Sequence, residues 1–167
     1  HLARWSRLSD NSKDTSIVKG TVLTNLDQMV VWSHSEELWA ESDSLPDGVS
    51  VGDLKTAAYT EENEQLNCMA VSSVEGDANV AGVFVNWDDR DAFNDMNIAM
   101  TGDMVIRIAQ GTTVTRGDLL MSAGDGTAKP QDDDIVRSKT IAKVTSTTVT
   151  HTYDDGTFLV PCVLMAC

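Results

Sequence analysis

A Gly-Asp step followed by apolar residues recurs at Gly52-Asp53-Leu54, Gly102-Asp103-Met104 and Gly117-Asp118-Leu119, and it constrains this chain more than any other feature. Glycine admits positive φ at a turn, the aspartate side chain bonds nearby backbone as the chain leaves it, and the apolar residues then open a strand. Units of this kind build short strands separated by tight turns. The longest instance, "VTRGDLLMSAGDGTAKPQ" (Val114 to Gln131), reads as strand, turn, strand. Gly117 and Gly124 shape its turns, Leu119 and Met121 face a core, and Lys129 and Asp125 stay exposed for contact with a partner.

The rest of the chain follows the same rhythm. Gly20 to Trp32 holds one or two strands, Asn67 to Val74 another, and Val83, Val85 and Trp87 alternate as a half-buried strand does. Asp154-Asp155-Gly156 between β-prone runs is the strongest hairpin signal. Residues 1–19, Glu61 to Glu64 and Asp88 to Asn97 read as loops, and Ser35 to Ala40 as a helical turn. No long 3.6-residue stripe is present. The expectation is an all-β fold, a small barrel or sandwich of short antiparallel strands with little helix. Residues 1–32 read as a lead-in that packs in a trimer, and 33–167 as the β-rich domain.

Aromatic residues make up 5% of the 167, so the core must come from Val, Ile, Leu, Met and Ala. The net charge of −14 opposes binding to nucleic-acid phosphates or to an anionic membrane surface. No stretch approaches the roughly 18 apolar residues of a membrane helix. Cys68, Cys162 and Cys167 have no metal-ligand spacing, and their odd number fits a reducing environment of assembly. The opening at His1 reads as a fragment or a processed product.

Catalytic patterns are weak. His1, His34 and His151 have no Gly-x-Ser-x-Gly elbow beside them, so no catalytic residue is assigned. His151 alternates as a solvent-facing strand residue. Asp88, Asp89 and Asp91, with Asp95, are calcium candidates, as are Asp132, Asp133 and Asp134. Neither loop has the glycine and distal glutamate of an EF-hand, and a solvated acidic loop is the simpler reading. No cofactor is implied. Trp5, Trp32 and Trp39 crowd the first quarter and Trp87 closes a strand; such residues anchor cores and interfaces more often than they stack on sugars. Ser9-Asp10-Asn11-Ser12 and Ser42-Asp43-Ser44 contain the residue types that backbone self-cleavage needs. "FLVPCVLMAC" (Phe158 to Cys167) is almost wholly apolar and must be tied down in the core or at a subunit interface.

"VAGVFV", "IAMTGDMVIRIAQGTTVTRGDLLMSAGDGTAKPQ" and "SKTIAKV", from Val80 to Val144, together resemble the C-terminal region of bacteriophage tail fibres, tailspikes and neck appendages. Here Lys143 follows Ala142, where that pattern has glycine before its Lys or Ala. "HLARWSRL" and "GDLKTA" are similar to the opening of appendage domains that act as intramolecular chaperones and cleave themselves. The resemblance implies a β-rich homotrimeric virion protein, assembled in the host cytoplasm. Its implied partners are other virion proteins and a host-surface glycan or protein. Two alternatives stand beside it: an autoproteolytic chaperone domain, and a capsid decoration protein built on the same Gly-Asp strands.

Overall fold

The computed structural model describes residues 2–88 and 93–166. Every regular element among them is a strand: β1 (Leu2–Ser6), β2 (Val22–His34), β3 (Glu37–Leu38), β4 (Leu54–Thr56), β5 (Tyr59–Val71), β6 (Val80–Asp88), β7 (Asp95–Ile108), β8 (Leu119–Ser122), β9 (Ala128–Pro130), β10 (Ala142–Val144), β11 (His151–Thr152) and β12 (Phe158–Met165). The fold is all-β, as the turn spacing requires. The helical turn expected at Ser35 to Ala40 is replaced by β3, and the loop expected at Glu61 to Glu64 lies inside β5. Glutamates are poor strand formers, and here the pairing with β2 overrides that local preference.

Five strands close a barrel in the order β7-β9-β8-β10-β12, with β12 returning to β7. The β7–β9 pair is parallel and the other four are antiparallel. Closure removes the edges that a short-stranded sheet would leave open. Beyond the barrel, β7 also pairs β6 and β1, and the sheet continues through β2 to β5.

The serial role of β7 explains Gly102. Residues Asp95 to Ala99 pair β6, whereas Thr101 to Ile108 pair β12. Gly102, at φ 91°, sits at this handover within one continuous strand. The turn expected at Gly102-Asp103 is therefore a kink inside a strand, which glycine accommodates where a barrel corner bends. Gly117 and Gly124 do shape turns, with φ of 95° and 89°.

All four residues of β8 are buried, so Leu119 and Met121 reach a core, and so do Leu120 and Ser122. The barrel core gathers Val22, Val83, Ile106, Ile108, Leu120, Ile141, Val160 and Leu164. A second cluster, with Leu23, Met69, Phe84, Met96 and Ile98, lies where β2, β5, β6 and β7 meet. The apolar C-terminal run is β12, the strand that pairs both β7 and β10, so its burial is within its own chain. The reading of residues 1–19 as loop is corrected by β1, whose Ser6 is fully buried and donates to the Asn67 carbonyl at 2.5 Å. A buried polar clasp ties the Ser72–Asp77 turn to β8: the Ser72 hydroxyl donates to Asp77 at 2.9 Å, and its oxygen lies 2.8 Å from Ser122 Oγ.

The chain divides into two compact units, residues 1–28 with 67–167, and Met29–Leu66. The first contains the barrel and both core clusters. The second is an insert between the outer parts of β2 and β5, and Trp32 and Ser33 are consecutive residues of β2 within it.

Candidate functional site

The insert has almost no core of its own. Between Met29 and Leu66 only Val30 is buried. Val31, Trp32, Leu38, Leu45, Val51, Leu54 and Tyr59 are all exposed large apolar side chains, with Leu54 at 57% and Val51 at 50%. Scattered apolar residues are normal on any surface; here seven large ones fall within residues 29–66 beside a single buried residue.

Local turns hold these residues without a core. β3 and β4 form a separate two-stranded sheet, closed by backbone bonds between Trp39 and both Asp53 and Gly52. The Ser50 amide donates to Asp53 Oδ2 at 2.9 Å, and the Asp53 amide donates to the Ser50 carbonyl at 3.1 Å. Ala40 and Asp43 repeat that reciprocal closure. Lys55 lies over the Trp39 ring at 4.7 Å, with Nζ 3.8 Å from Asp43.

The paired strands of the insert form an open cleft of about 430 Å³ whose lining includes Trp32, His34, Glu61, Glu62 and Glu64. His34 stacks on Tyr59 with centroids 4.3 Å apart and planes 11° from parallel, and its Nε2 is 3.4 Å from Glu61 Oε2. The insert carries nine Asp and Glu against one Lys, a net −8 of the chain's −14. Aromatic faces beside carboxylates suit a cationic or basic partner.

The four tryptophans are divided between the two units. Trp32 and Trp39 belong to the insert, Trp5 lies under Arg7 at 5.2 Å, and Trp87 packs on Phe84 at 5.4 Å. Of the calcium candidates, Asp88 ends β6 opposite Asp95, while Asp89 and Asp91 lie outside the described residues. Asp95 bonds Arg7 at 2.6 Å. Asp133 accepts from Arg137 Nε at 2.7 Å, and this bond holds its carboxyl below the usual range. Among the described residues no group of three metal-ligating side chains converges.

Asp125 is exposed, as expected, and Lys129 is half-buried, and each has a partner within its own chain. Lys129 pairs with Glu75, and Asp125 accepts both the amide and the hydroxyl of Thr127 at 3.0 and 2.5 Å. His151 is exposed on β11, edge-on to Tyr153 at 4.7 Å. Ser9 to Ser12 is an exposed turn in which Asp10 accepts from the Ser12 amide and hydroxyl, with Asn11 at φ 60°. Asparagine tolerates that conformation at little cost, so the turn stores no strain for cleavage. Ser42 to Ser44 is likewise a turn, closed by Asp43. Sequence reasoning missed the insert as a unit; its signals were the crowding of Trp32 and Trp39 and the concentration of nine acids against one lysine.

No family model matches the chain, and neither does any curated protein or solved structure.

Proposed function

We propose that this chain is a structural assembly module of a virion fibre or appendage that works as a homotrimer. The observation that carries the reading is the insert: a folded unit with one buried residue and seven exposed large apolar side chains. Burying a Leu, Val or aromatic side chain is worth roughly 1.5–3 kcal/mol relative to leaving it in water. Covering this set against other copies supplies a substantial driving force, of which the entropy of association takes a part. The barrel is held by its own core. The resemblance of the Gly-Asp strand pattern to phage fibre C-terminal regions supports the virion setting and the trimer.

Native mass measurement of the intact chain tests this reading. A species of three times the 18.1 kDa chain mass is expected at micromolar concentration. Leu54→Asp and Val51→Asp should each shift it towards monomer while leaving the barrel folded. A wild-type chain that stays monomeric over that range overturns the reading.

A further inference from the structure

Resting on the assembly reading, we propose that the edge of β5 over Tyr59 to Glu64 receives an extended, lysine- or arginine-bearing segment of a partner protein, added as a further strand. β5 ends the strand order of the large sheet, so one of its sides has no paired strand among the described residues. An edge of that kind offers backbone amides and carbonyls to an incoming chain. The edge has a defined stop: Asn63 Oδ1 accepts the Gln65 and Leu66 amides at 2.9 and 2.8 Å, which takes both donors out of any ladder.

Charge selects the occupant. Strand alternation sets Glu62 and Glu64 on one face and Glu61 on the other, beside His34. An added strand therefore meets a carboxylate whichever way its side chains point. The insert's single lysine, Lys55, is already engaged with Trp39 and Asp43. A second copy pairing the same edge antiparallel would set glutamates against glutamates, which is unfavourable for directly opposed strands. The copies of a trimer therefore meet through other insert residues, such as Val51 and Leu54. A basic strand gains at every one of these positions, and the Trp32 and His34–Tyr59 faces accept the apolar stem of a lysine or the plane of a guanidinium.

The test uses the intact chain and a fluorescein-labelled peptide of about nine residues alternating lysine and valine, a length that spans one strand. Anisotropy should show saturable binding that weakens steeply with salt. The variant Glu61→Gln/Glu62→Gln/Glu64→Gln should weaken it about tenfold or more, by the loss of the cross-strand charge pairs on the lysine-bearing face and of the remaining carboxylate's attraction from the other. The control Glu36→Gln/Glu37→Gln/Glu41→Gln removes the same charge elsewhere in the insert and should change binding by less than about threefold. A peptide alternating glutamate and valine should not bind. Absence of binding to the lysine peptide, or equal loss in the two triple variants, overturns the proposal. Mass measurement on the same samples separates the two readings: a trimer that ignores the peptide defeats only this one, and a monomer that binds it defeats only homotrimeric assembly.

Discussion

The Thr115 amide donates to Asp118 Oδ2 at 2.7 Å while the Asp118 amide donates back to the Thr115 carbonyl at 3.0 Å. Ser50 with Asp53 and Ala40 with Asp43 repeat the closure, and threonine replaces aspartate in Val18 with Thr21 and Arg137 with Thr140. Asp118→Ala keeps the backbone bond but removes the charged acceptor. It is expected to lower stability by about 1 kcal/mol, read as a lower urea midpoint with an unchanged slope.

Two of the three Gly-Asp steps were legible in the sequence for this reason: the chemistry of a tight turn lies within four residues. The third was not. Whether Gly102 turns the chain or kinks a strand depends on β6 and β12, partners that lie on either side of it in sequence. The insert was hidden for a related reason. Its flanks continue β2 and β5 without a break, so no turn or strand end marks where burial stops. The apolar tail and the Asp154-Gly156 hairpin were legible because hydrophobicity and turn type decide them locally. The binding role of the β5 glutamates was not, since a loop and an edge strand can carry the same charges.

Gly82 has no room for a side chain. A Cβ built there collides with the Ala99 carbonyl oxygen across the β6–β7 pair. Gly82→Ala is expected to cost about 3 kcal/mol, by forcing two backbones apart. Gly111→Ala is the contrast: nothing lies within 4 Å, yet φ is +83°. A cost of about 1 kcal/mol is expected from conformation alone. Thermal melts of both variants check the ordering.

Acid should loosen the exposed turns in a defined direction. Asp155 is held below its ordinary 3.8 first by the Thr157 hydroxyl, then by the Thr157 amide and Arg107. Asp133 is held down first by its bond from Arg137. Both carboxyls bind protons more weakly in the folded chain, so their contribution is complete above 3.8 and is lost as pH falls through the lowered folded values. Asp155→Asn and Asp133→Asn should each flatten the acid limb of a stability–pH curve.

Burial pushes the Cys162 thiol up to about 12, and desolvation raises Cys68 as well. With Cys167 replaced by serine, the native chain should resist an aromatic disulfide reagent at pH 8, and urea should release both thiols. These thiols ionise more readily once unfolded, so their contribution to stability falls as pH rises above 9. Rapid labelling of the native chain would contradict their placement in the core.

Hydrogen exchange as a function of concentration is the most direct test of the incomplete insert. Wild-type chain is compared between about 0.1 and about 50 µM, a range over which mass action assembles a micromolar complex. Protection of Met29 to Leu66 should rise with concentration while the slow amides of β7, β8 and β12 stay constant. Protection in the insert that does not change across that range would contradict the claim that other chains complete it.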